Sequence, residues 1–152
     1  MKIKLFITAF SSFLALSPIL SAGQIVISDA YARSVGPLAK AGAAYMKIMN
    51  HSDETDRLIG VQSDIAKKTE LHTHLKDDNG VIRMVRIDEG IEIGSMKEHR
   101  LVRGGQHIMF MGLKEAFKTG KIIPVTLFFE IAGEVGLEIV VDQARNEKKH
   151  SH

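Results

Sequence analysis

Apolar and polar residues alternate in short runs along most of this chain. Breaks rich in Gly, Asn and Asp separate the runs, where a helical protein would carry amphipathic stretches. The pattern predicts strands at residues 24–33, 42–50, 56–65, 69–76, 81–87, 106–113, 125–130 and 135–141. Between residues 69–76 and 81–87 lies Asp77-Asp78-Asn79-Gly80, whose Asn-Gly is a strong hairpin signal. Pro124 falls at a strand start, where a missing N–H is tolerated. Residues 114–121 read as one helical turn or a loop. Strands at this spacing, with no intervening amphipathic helix, make an all-β, Greek-key β-sandwich in a single domain, residues 23–142.

The two ends read differently. Residues 1–22 carry Lys2 and Lys4, then an apolar stretch interrupted by Ser11, Ser12, Ser17 and Pro18, and end at Ser21-Ala22. This is the pattern of a cleaved export signal, and the apolar stretch is too short and broken for a membrane anchor, which needs about 20 apolar residues. The expectation is a periplasmic protein with no stable membrane insertion after cleavage. Residues 143–152 form a polar tail ending in His150 and His152. Removing Lys2 and Lys4 takes the 20 basic residues to 18, which equals the 18 acids, so the mature chain is formally neutral. With no basic stripe interleaved with aromatics, nucleic acid is not an expected partner.

Composition then sharpens the chemistry. The chain has no Cys beside seven Met and seven His. That excludes a disulfide scaffold, a thiolate zinc site, an iron–sulfur cluster and a blue-copper centre, each of which needs cysteine. In His107-Ile108-Met109-Phe110-Met111 the strand period puts His107, Met109 and Met111 on one face and Ile108 and Phe110 on the other. The hairpin supplies a second pair, His72 on its outgoing strand and Met84 on its returning strand. A thioether is a soft, neutral ligand that suits Cu(I) and suits zinc, magnesium or calcium poorly. Two His and two Met are therefore a neutral set able to hold Cu(I) without a thiolate, although spacing alone fits core or surface packing of the same residues equally. Met46 reads as core, Met111 as shielding or packing, His51 as a turn residue, and Met96 with His99 as loop residues. The His150/His152 tail is a candidate for a secondary Cu(II) site. No Gly-x-Ser-x-Gly elbow, phosphate loop or dinucleotide fingerprint is present, so the chain is not expected to be an enzyme.

The segments around these residues resemble the periplasmic copper chaperones of the PCu(A)C type. They are Asp56-Arg57-Leu58-Ile59-Gly60, Glu70-Leu71-His72, Gly80-Val81-Ile82-Arg83-Met84, Gly104-Gly105-Gln106-His107-Ile108-Met109-Phe110-Met111-Gly112-Leu113 and Val125-Thr126-Leu127-Phe128-Phe129-Glu130. The family motif runs His or Met, about ten residues, Met, about twenty-one residues, then His-x-Met. Here the gaps are 11 residues between His72 and Met84 and 22 between Met84 and His107. The first extra residue fits in the Asp77–Gly80 turn and the second near Glu89-Gly90. The longer first gap leaves His74, on the same strand face, as an alternative to His72, and His72 is preferred because it follows Glu70-Leu71 as in the family.

The resemblance implies a cupredoxin-like fold, with Cu(I) held by His72, Met84, His107 and Met109. It also implies a monomer that delivers copper towards the dinuclear centre of cytochrome c oxidase, through subunit II or a Sco-type partner. Two other readings stand beside it. One is an exported β-sandwich binding module whose Met and His are structural, and the other is a copper store or scavenger with no oxidase recipient.

Overall fold

The alternation resolves into strands, with no helix, in the computed structural model, which describes residues 24–36 and 38–145. In chain order they are β1 (Ile25–Ser34), β2 (Ala41–Asn50), β3 (Asp56–Gln62), β4 (Ala66–Lys76), β5 (Ile82–Arg86), β6 (Ile91–Ile93), β7 (Glu98–Leu101), β8 (His107–Leu113), β9 (Ile122–Phe129) and β10 (Gly133–Val141). The sheet order is β5-β4-β8-β2-β1-β10-β9-β3-β6, and β7 pairs with the stretch of β2 beyond β8. β1 runs parallel to β10, and the other pairs are antiparallel.

One face of every strand but β5 supplies the core. Ala44 and Ile48 of β2, Ile108 and Phe110 of β8, Leu58 of β3, Leu127 of β9 and Ile139 of β10 are all fully buried in one cluster. Burying a side chain the size of Phe110 contributes about 2–3 kcal/mol, and its neighbours share that drive. Met46 belongs to this core, as its place in the alternation predicts. The result is the expected single-domain, cupredoxin-like β-sandwich.

Several local expectations need correction. β6 and β7 were not expected from the sequence; at three and four residues they are too short to show a period of their own, and their pairing with β3 and β2 is non-local. His99 therefore lies on β7 and not in a loop, with its ring Nε2 2.7 Å from Gln106 Oε1. Met96 does sit in the preceding turn, at φ 53°. Residues 114–121 form a loop that sends Phe117 into the core. Pro124 is inside β9, opposite Glu138. The ladder between β9 and β3 ends at Thr126–Gln62, so no β3 bond is lost at its missing N–H.

Gln143 and Arg145, assigned to the tail by composition, dock back on β1. Gln143 Nε2 donates to Ser34 Oγ and to the Phe117 carbonyl, each at 2.9 Å, and the Arg145 guanidinium lies 4.4 Å from the centre of the Tyr31 ring. The segment expected to be an export signal, 1–22, and the histidines His150 and His152 lie outside the described residues. No helix among the described residues is long and apolar enough to cross a membrane.

Candidate metal centre

The strands that bury Leu71, Ile108 and Phe110 turn their alternate residues to the other face, and there β5, β4, β8 and β2 bring the chemistry together. The cross-strand register sets the neighbours. His72 lies opposite Arg86 on β5 and opposite His107 on β8. His74 lies opposite Met84, and Met109 lies between Glu70 on β4 and Ala43 on β2. The four predicted residues thus share one patch of one face, and His72 and Met84 are diagonal neighbours across the hairpin while His74 is the direct partner of Met84. Met111 sits one step further along β8, opposite Lys68 and Ala41. The hairpin turn that fixes this register closes through Asp77 and Val81 and places Gly80 at φ 82°, a left-handed conformation that glycine adopts without cost.

The histidines are oriented by groups the sequence reading did not single out. Glu70, two residues before His72 on the same face, holds His72 Nε2 at 2.9 Å with one oxygen, while the other receives Lys68 Nζ at 2.7 Å and Arg86 Nη1 at 3.0 Å. The bond from His72, then that from Lys68, pulls the Glu70 carboxyl down to about 2, so it is ionised at any physiological pH. An ionised Glu70 can only accept, so Nε2 of His72 carries a proton, and Nδ1 is the ring nitrogen that can offer a lone pair to an ion. That Nδ1 is buried and has no hydrogen-bond partner.

His107 shows the mirror arrangement. Its Nδ1 lies 2.9 Å from the Gly105 carbonyl and donates to it, so the lone pair is on Nε2. Burial lowers the His107 pKa below its ordinary value, only partly opposed by the Gly105 bond, and the neighbouring His74 and His72 lower it further. The ring is therefore neutral at neutral pH. A neutral imidazole with one N–H tied to a carbonyl or carboxylate is the usual form of a metal-ligating histidine.

The surroundings grade from closed to open. His107 is only 1% exposed, beneath Tyr45, whose ring centre is 6.2 Å away, and Tyr45 in turn stacks against Tyr31 at 5.2 Å. Met84, on the edge strand β5, is 46% exposed. No three His, Asp or Glu side chains among the described residues already form a metal-binding group. The donor set fits copper: two imidazoles each tied through one ring nitrogen, methionines on the same face, and a buried ring nitrogen left unsatisfied.

Sequence reasoning missed Glu70, Arg86 and Tyr45. Glu70 was within its reach, since the strand period already places it on the face of His72. Tyr45 was not, because its approach to His107 depends on which strands become neighbours.

Comparison with known proteins points the same way. The sequence pattern of the LpqE-like lipoprotein family matches residues 25–141. Lxx21020 of Leifsonia xyli subsp. xyli, whose name calls it a lipoprotein, is 31% identical over 115 residues, 76% of this chain and 68% of the relative. Among solved structures, the copper-bound PCuAC domain from PmoF2 is 26% identical with a TM-score of 0.66, over 80% of this chain and 94% of that one. The solution structure of CuI-DR1885 from Deinococcus radiodurans is 28% identical with a TM-score of 0.60, over 78% of each chain.

Proposed function

The chain belongs to the LpqE-like family of PCuAC-like proteins, and on that premise we propose that it is an exported copper chaperone. It binds Cu(I) through His72, Met84, His107 and Met109 and passes the ion on by ligand exchange. The observation that carries this reading is the matched orientation of two imidazoles, one buried and one half-buried. Glu70 and Gly105 each occupy one ring nitrogen, and the other nitrogen of each ring remains for an ion on the face that carries Met84 and Met109.

The division of labour follows from burial. His107 and His72 are held by the fold and give a fixed seat. Met84, on an edge strand and half-exposed, is the ligand a partner can displace. Neutral thioethers bind Cu(I) without the charge of a thiolate, so the ion leaves more readily, and no thiol is exposed to oxidation outside the cytoplasm. Solved relatives that hold copper support copper as the cargo. The recipient implied by the resemblance is the dinuclear copper centre of cytochrome c oxidase, reached directly or through a Sco-type protein, and the sequence of residues 1–22 supports export to the periplasm.

Titration of the chain with Cu(I) against a competing chelator tests the ligand set. Met109→Ala is expected to weaken binding at least tenfold and Met84→Ala by less, since Met84 is the more exposed. Unchanged affinity in both variants would overturn the assignment. Delivery is tested by mixing the Cu(I)-loaded chain with the copper-free soluble domain of oxidase subunit II or of a Sco-type protein, separating them, and measuring where the copper lies.

A further inference from the structure

One imidazole on this face has no place in the set just described. His74 lies directly opposite Met84. Its ring centre is 5.2 Å from that of His107, nearer than the 6.2 Å between His72 and His107. Its Nδ1 is buried and makes no hydrogen bond. A buried polar nitrogen left unpaired costs about 1–3 kcal/mol, and a fold retains such an atom where something else uses it.

The distances decide what that use is. Imidazole nitrogen binds a transition metal at roughly 2 Å, so each ring centre stands roughly 3 Å from the ion, and two rings sharing one ion have centres about 4.5–6 Å apart. The pair His74–His107, at 5.2 Å, falls inside this range, and His72–His107, at 6.2 Å, lies just beyond it. The three rings are not gathered on one point, and sharing an ion requires their side chains to rotate towards it. Three imidazoles with Glu70 alongside make a set of nitrogen and oxygen, the preference of Cu(II), where two imidazoles and two thioethers make the softer set of Cu(I).

We infer that His74 is a third imidazole ligand, and that it gives this face a second coordination mode, His72–His74–His107, in which it binds Cu(II). The inference rests on the reading of the face as a copper site. The two modes share His72 and His107 and differ in whether the remaining positions are filled by His74 or by sulfur, so either oxidation state of the ion can be carried without an electron being transferred on the protein.

The test uses the full mature chain carrying His150→Gln and His152→Gln, so that the tail histidines do not contribute. Titration with Cu(II) is expected to give one bound ion whose pulsed electron paramagnetic resonance spectrum shows three coupled imidazoles. His74→Met, which places a thioether there, should weaken Cu(II) binding at least tenfold and reduce the count to two. If His74→Met lowers the yield of folded protein by circular dichroism, His74→Gln makes the same measurement. An imidazole count and a Cu(II) affinity that do not change in a folded variant overturn the inference. Cu(I) affinity of the unsubstituted chain, measured alongside, tests the copper reading itself, so the two fail separately.

Discussion

Two buried polar clusters in this protein use their hydrogen-bonding groups in opposite ways. Where β2 ends and β3 begins, Asn50 and Asp56 are almost entirely enclosed. The Asn50 amide donates to the carbonyls of Glu54 and Ile93 and its oxygen accepts from the Ser52 amide and hydroxyl. Asp56 accepts from the backbone N–H groups of Arg57, Ile131 and Ala132 at 2.7–3.0 Å. Every polar atom of these two side chains has work inside the fold. On the β4–β8 face the half-buried rings of His72 and His74 each keep a buried, unpaired Nδ1. Burial is common to both clusters, and satisfaction separates them. A closed network specifies structure, whereas open lone pairs held in place by second groups specify a site for something that is not part of the chain.

The sharpest way to break that comparison is to open the closed cluster. Asp56→Ala removes the acceptor from three backbone donors at once and should destabilise the fold by about 3 kcal/mol, read from denaturant unfolding. Copper affinity of the fraction that remains folded should be unchanged. A loss of affinity with no loss of stability would show that the two clusters are not separate.

A smaller effect, opposite in kind, is expected from Glu70→Gln. Its amide still accepts from His72 but lacks the charge that fixes the tautomer, so Cu(I) affinity should fall about tenfold, the lower end of the range for an orienting residue behind a ligand. Stability should change by less than about 1 kcal/mol, because the ion pairs of Glu70 with Lys68 and Arg86 involve side chains that are 63% and 55% exposed. Equal losses of affinity and stability would mean that Glu70 is structural, as Asp56 is.

The sequence carried the local half of this picture. Period-2 alternation put Ile108 and Phe110 in the core and His107 and Met109 on the other face, and Asn79-Gly80 located the hairpin that brings Met84 back beside β4. What was not legible depends on pairings between distant strands. Nothing near His72 announces that His107 will be its direct neighbour, or that Tyr45 will roof His107, because both follow from β8 entering the sheet between β4 and β2. The strands β6 and β7 were hidden for the same reason, as they are strands only by virtue of β3 and β2. The choice between His72 and His74 turned on a single residue of spacing, which alternation cannot resolve for two positions on one face. Register and the Glu70 bond separate their surroundings instead.

The weakest of the expected effects lies at the far end of the Tyr31–Tyr45–His107 row, and it measures how far the open cluster extends. Arg145 pairs with Asp29 and lies over Tyr31, and Lys47 reaches the same carboxylate at 3.3 Å. Arg145, and after it Lys47, lowers the Asp29 pKa below its ordinary value. A carboxyl with a lowered folded pKa contributes stability that is complete above its unfolded pKa and is lost as pH falls through the folded one. Arg145→Ala should therefore cost less than about 1 kcal/mol near neutral pH, since both partners are partly exposed, and the difference from the unsubstituted chain should shrink towards acid. Copper affinity should not move, because Arg145 touches Tyr31 and two further rings separate it from His72. A shift in Cu(I) affinity on Arg145→Ala, with the pH profile of stability as described, would place the tyrosine pair inside the site and move its boundary from Tyr45 to Arg145.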